Sequence, residues 1–166
     1  MLISDEYREL NRKLHESRPD YGTSGQKYAQ IVRQLMDAER SYDLLDYGCG
    51  KQTLAQALGV PVRGYDPAIA ELAAAPEAAD IVACTDVLEH IEPDKLGAVL
   101  DDIRRCTRKV ALLTIATGPA KKTLEDGRNA HLIQRNAQWW LPLLWEHGFS
   151  IRNMQENSGL IVVIVT

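Results

Sequence analysis

Asp43-Leu44-Leu45-Asp46-Tyr47-Gly48-Cys49-Gly50-Lys51 is a short apolar run that ends in an acid and then places glycines at alternate positions. The segment that follows, Thr53-Leu54-Ala55-Gln56-Ala57-Leu58, is helix-forming. Together they predict a strand, a tight turn and a helix N-terminus. Glycine is needed where the backbone turns sharply and a ligand must come close without a Cβ in the way, and a helix start offers unpaired N–H groups. The stretch therefore reads as a nucleotide cradle. Twenty positions after Asp46 a second run, Val60-Pro61-Val62-Arg63-Gly64-Tyr65, also ends in an acid, Asp66. At the tip of the second strand of an open α/β sheet, a carboxylate is placed to accept hydrogen bonds from ribose hydroxyls.

Two ligand classes suit such a cradle. A dinucleotide wants a third small residue in the turn and no charge opposing its pyrophosphate. Here Thr53 stands at the third glycine position and Asp46 immediately precedes the turn. That carboxylate repels a pyrophosphate but attracts a ligand bearing an ammonium and a sulfonium, as S-adenosylmethionine does. At these residues the chain resembles the class I S-adenosylmethionine-dependent methyltransferases, whose first motif is acid-x-Gly-x-Gly. The resemblance implies S-adenosylmethionine as cofactor, with Asp46, Gly48, Cys49 and Gly50 beside its methionine part and Asp66 and Pro67 at the ribose. It also implies a Rossmann-like three-layer α/β sandwich, with a mostly parallel sheet of about six strands closed by a C-terminal antiparallel hairpin.

With 166 residues, 45% hydrophobic and 25% charged, the chain is expected to form a single domain with a full core. Residues 1–40 would be an N-terminal helical cap and residues 41–166 the Rossmann-like core. A net charge of -4 gives no electrostatic reason to bind nucleic acid. No apolar run is long enough to span a bilayer and the first residues lack a signal peptide's pattern, so a cytoplasmic protein without membrane association is expected. Cys49, Cys84 and Cys106 fit a reducing compartment and show no C-x-x-C metal spacing.

Along the chain, residues 5–17 predict a modestly amphipathic surface helix. A Pro/Gly loop follows, in which the resemblance makes Tyr21 a lid residue over the cofactor and Ser24 can cap the next helix. There Tyr28, Ile31, Val32, Leu35 and Met36 form a core stripe at helical spacing. After Asp66 only a short helix fits before the buried run Asp80-Ile81-Val82-Ala83-Cys84. That gap is too short for the helix and strand that class I members place there, so one edge strand of the usual seven is expected to be missing. Leu96, Val99, Leu100 and Ile103 mark a helix face, and the basic residues 104–109 read as its solvated end. A buried strand over residues 110–115 precedes a long polar loop, residues 116–135. Asn136 can cap a helix bearing Trp139, Trp140 and Trp145, which suggest a large buried contact, and residues 149–165 read as a β-hairpin around Ser158-Gly159.

The chemistry should lie in Cys84-Thr85-Asp86-Val87-Leu88-Glu89-His90, which leaves the carboxyl end of the third strand. Cys84, Thr85 and Asp86 are candidate cofactor contacts. Asp86, Glu89 and His90 at a helix start would project to one side, and His131 from the long loop would complete a set for a divalent ion, magnesium or manganese. The pattern resembles the acid-x-x-Glu-His and later His that hold a metal in small-RNA 3′-terminal ribose methyltransferases, and the acid-x-x-Glu-His of ubiquinone-pathway O-methyltransferases. Without a metal, His131 or His90 would be the general base, with Asp86 beside it. His15 and His147 read as surface residues without a role. The expected activity is O-methylation of a small-molecule or carbohydrate hydroxyl. The alternatives are an RNA terminus as acceptor, for which a basic surface is lacking, and a non-catalytic cofactor-binding or partner subunit.

Overall fold

The computed structural model describes residues 2–166. Six strands form one sheet: β1 (Leu44–Tyr47), β2 (Arg63–Tyr65), β3 (Ala79–Thr85), β4 (Thr107–Ala116), β5 (Ile151–Asn157) and β6 (Leu160–Val165). Their order is β2-β1-β3-β4-β6-β5. β1, β2, β3 and β4 pair in parallel, and β6 joins β4 antiparallel with β5 on the outer edge. The helices are α1 (Asp5–Ser17), α2 (Ala29–Glu39), α3 (Thr53–Leu58), α4 (Leu96–Cys106) and α5 (Ala137–Glu146).

The central strands are apolar on both sides because both faces are covered. Leu44, Ile81, Ala83, Val110 and Leu112 pack with α2 and α3. Their neighbours Leu45, Val82, Ala111 and Leu113 turn the opposite way, onto α4 and α5. This period of two places every second side chain in the same layer. The chain runs from β1 outward to β2 and then crosses to β3 on the other side of β1. That reversal opens a crevice at the carboxyl ends of β1 and β3, where such sheets bind ligands.

The seventh strand is missing as expected, and only a 3₁₀ turn, Ala70–Leu72, lies between β2 and β3. Other expectations are corrected. Residues 107–109 begin β4 instead of ending a helix, and their charge is used at the amino end of the sheet: Arg108 pairs with Asp43 and Asp80, and Lys109 with Asp80. Ser24 opens a 3₁₀ turn and does not cap α2. Asn136 starts α5 through its backbone carbonyl, which takes the N–H groups of Trp139 and Trp140, without a side-chain cap. Of the three tryptophans only Trp140 is buried, its Nε1 donating to the Arg135 carbonyl at 3.1 Å. Trp139 is 39% and Trp145 79% exposed, because the apolar residues of α5 encircle the helix while only one side meets the sheet. No helix among the described residues is long and apolar enough to cross a membrane.

α1 occupies the expected residues but is more than a surface helix. Tyr7, Asn11 and Leu14 are buried, and Leu14 joins Tyr7, Ile3 and Leu124 in a cluster that ties the helix to the long loop. Ser4 caps it by accepting the Tyr7 N–H. The Ser4 hydroxyl and N–H also bind the Glu92 carboxylate at 2.7 and 2.8 Å.

Candidate active site

A cleft of about 510 Å³ opens at the carboxyl ends of β1 and β3, roofed by α1, residues 20–25 and the long loop. The glycine turn forms its floor. Gly48 and Gly50 have φ of +79° and +48°, a region that strains other residues. A Cβ on Gly48 would strike Val87 at 2.4 Å, and one on Gly50 would meet the Gly22 carbonyl oxygen at 2.8 Å. The N–H groups of Gly48 and Cys49 donate to the Tyr65 carbonyl at 2.7 and 3.0 Å, fixing the turn to the end of β2.

Two acids face this turn. Asp66 accepts the Gly50 N–H and the Ala68 N–H, each at 3.0 Å. Two bonds leave lone pairs on both oxygens, since a carboxylate offers about four acceptor sites. Asp46 is buried, and burial first and the Asp66 charge second push its pKa up to about 7. Pro67, Thr85 and Tyr21 line the cleft. Tyr21 packs edge-on to His15 and His90 and donates its hydroxyl to Asn11 at 3.0 Å. Cys49 also lines the cleft, but its Sγ lies so near Gly64 that a Cβ there would meet it at 2.9 Å. Cys84 has no exposed surface and belongs to the core beneath α4.

The far end of the cleft holds the histidines. His90 Nδ1 lies 2.8 Å from the Ala130 carbonyl and His131 Nδ1 2.7 Å from the Gly118 carbonyl. A carbonyl only accepts, so each Nδ1 carries the proton and each Nε2 keeps a bare lone pair. The rings stand edge to face, 4.7 Å between centroids. Burial, more than the nearby His131, lowers the pKa of His90 to about 4. Glu89 is wholly buried; one oxygen accepts the Ala116 N–H at 2.9 Å and the other has no partner among the described residues. Its pKa rises to about 8, by burial and then by Asp86.

Glu89, His90 and His131 each bring one ligand atom within 4.8 Å of the others. Asp86 does not join them. It adopts φ +53°, its N–H donates to the Thr114 carbonyl, and its carboxylate accepts from the Tyr28 hydroxyl at 2.9 Å and Thr114 Oγ1 at 3.0 Å. Only Leu88–His90 is helical, as a 3₁₀ turn, so the expected single helical face over residues 86–90 does not form.

A family model described as a methyltransferase domain matches residues 16–163. The chain belongs to the methyltransferase-domain family. This methyltransferase also has solved structures of like fold. One is 1,6-didemethyltoxoflavin-N1-methyltransferase of Burkholderia thailandensis with 1,6-didemethyltoxoflavin and S-adenosylhomocysteine bound (TM-score 0.69, 17% identity, 96% of this chain and 88% of that one). Another is the S-adenosylhomocysteine complex of DhpI (0.68, 18%, 99% and 98%). A third is magnesium protoporphyrin IX methyltransferase of Synechocystis PCC 6803 with S-adenosylmethionine bound (0.62, 17%, 98% and 96%). Among curated proteins none matches in sequence. The fold is that of the class I S-adenosylmethionine-dependent methyltransferases.

The sequence reading missed what α1 brings to the methyltransferase's cleft. Tyr7, Asn11 and His15 line it, the last against the expectation of a surface residue. The signal was present: Tyr7, Asn11, Leu14 and His15 follow i, i+4, i+7 and i+8 and so share one helix face. Two of the four are polar, which hid the stripe.

Proposed function

We propose that the protein transfers a methyl group from S-adenosylmethionine to a hydroxyl of a small-molecule acceptor, with residues 1–40 acting as a cap over the core of 41–166. The observation that carries this reading is the pair of bare Nε2 atoms on His90 and His131 in the same cleft as Asp46, the glycine turn and Asp66. The cleft fits the cofactor by its own features: a buried Asp46 with a raised pKa that a cation would relieve, and an Asp66 carboxylate with acceptor sites left over for hydroxyls.

S-adenosylmethionine, when bound, supplies an electrophilic methyl on a positively charged sulfur. Asp66 would accept the ribose hydroxyls and Asp46 would face the ammonium and sulfonium. Methyl transfer is an in-line displacement, so the protein must hold the acceptor oxygen in line and take its proton. His131 Nε2 would accept that proton while its Nδ1–H stays on the Gly118 carbonyl. His90, its pKa lowered to about 4 by burial, would orient the acceptor. Small-molecule acceptors also occur among proteins of like fold, such as the toxoflavin and porphyrin methyltransferases.

A second reading uses the same atoms. Two histidines with Nδ1–H fixed by carbonyls, beside an unpartnered carboxylate oxygen, are arranged as ligands commonly are around a divalent ion. Magnesium or manganese held by Glu89, His90 and His131 would lower the pKa of the acceptor hydroxyl.

The test is transfer of a labelled methyl from S-adenosylmethionine to phenol, catechol, sugar and nitrogen-heterocycle acceptors, with magnesium, manganese or chelator. Transfer to a hydroxyl that falls about 10²–10⁴-fold in His131→Ala supports the reading, and indifference to chelator removes the metal. Transfer to nitrogen alone, unaffected by His131→Ala, would overturn it.

A further inference from the structure

In this fold the contact surface beyond Asp66 is reduced, because residues 67–78 hold only one short turn. α1 brings His15 into the wall of the same cleft. The imidazole is seated against the lid loop: a Cβ on Gly22 would meet His15 Cε1 at 2.6 Å and Nδ1 at 3.0 Å, while Gly22 itself lies on Gly50. Ring, lid loop and glycine turn thus form three successive layers, with the Tyr21 ring 4.7 Å from that of His15.

His15 Nδ1 is enclosed and has no hydrogen-bond partner among the described residues. A buried N–H without an acceptor is a rare and costly state. The ring's single proton therefore belongs on Nε2, which is not among the buried unpartnered atoms, and His15 lines the cleft. Burial lowers the pKa of His15 despite the opposing pull of the nearby Asp66, so the ring enters the site neutral and does not repel a cationic ligand. The cleft wall then offers both a carboxylate acceptor, Asp66, and an N–H donor, His15. A sugar hydroxyl needs that combination, since it donates one proton and accepts others.

Resting on the cofactor reading above, we propose that His15 is a cofactor-binding residue whose Nε2–H donates to a ribose hydroxyl held by Asp66, so that α1 supplies a contact on the trimmed side of the fold.

The test is calorimetric titration of wild type, His15→Phe and His15→Gln with S-adenosylhomocysteine and with 5′-methylthioadenosine, which keeps the ribose but lacks the amino acid. Wild type should bind both. His15→Phe keeps an aromatic ring but no donor, and should weaken both ligands by a similar factor of about ten, the worth of one good hydrogen bond. His15→Gln restores a donor and should recover part of the loss. Unchanged affinity in His15→Phe, or a loss confined to S-adenosylhomocysteine, would overturn the ribose contact while leaving the cofactor reading intact. Failure of wild type to bind either ligand would overturn both.

Discussion

At Asp46 the fold buries a carboxylate beside a second acid, and its pKa moves up to about 7, against about 3.9 for an aspartate in an unfolded chain. Between those values the folded protein keeps a proton that the unfolded chain has lost. Stability therefore falls as pH rises from about 4 to about 7 and stays reduced above. Asparagine cannot ionise, so Asp46→Asn should raise the ligand-free melting temperature by a few degrees at about pH 8, with a gap that narrows toward about pH 5. The same substitution should weaken S-adenosylmethionine. In the wild type, affinity should fall as pH drops below about 7, by up to about tenfold per unit, because the cationic ligand binds the ionised acid; Asp46→Asn should abolish that dependence. Thermal melts and titrations over the same pH range check both.

Among the elements, the glycine turn and α5 make opposite demands on the sequence. Gly50→Ala would place a Cβ against the backbone of Gly22 in a left-handed conformation, so it should cost about 1–3 kcal/mol and displace the loop that holds Gly22. On α5, Trp140→Ala empties a fully buried site and should cost about 3–5 kcal/mol. Trp145→Ser, on the exposed side, should change stability by less than about 0.5 kcal/mol. Chemical denaturation measures all three. The helices α2 and α4 were legible in the sequence because each buries its apolar residues at one clear period, and the strands β1 and β4 because each holds a short continuous apolar run. The Trp139-Trp140-Trp145 group misled because hydrophobicity is visible in a sequence and burial is not. Asp86 escaped for a different reason. Its left-handed backbone and its bonds to Tyr28 and Thr114 come from elements far apart in the chain, so no local pattern announces that its carboxylate is held by those two residues and does not join Glu89, His90 and His131.

For the molecule as a whole, the sheet order places both acids and both histidines around one crevice, and α1 with residues 20–25 lines it. The acids and the glycine turn could be read directly, since their spacing follows from strand, turn and helix. His131 could be nominated but not placed, because a long loop of low periodicity carries it. What the cap contributes could not be read, because the contacts of α1 with Leu124 and Glu92 join residues more than eighty positions apart. The most direct measurement is calorimetric titration of wild type and Asp66→Ala with S-adenosylhomocysteine, with circular dichroism to show that both are folded. Saturable binding of one ligand per chain by wild type, lost or weakened by about a hundredfold in the variant, is the result predicted. No saturable heat in the folded wild type, or equal binding by both proteins, would contradict it.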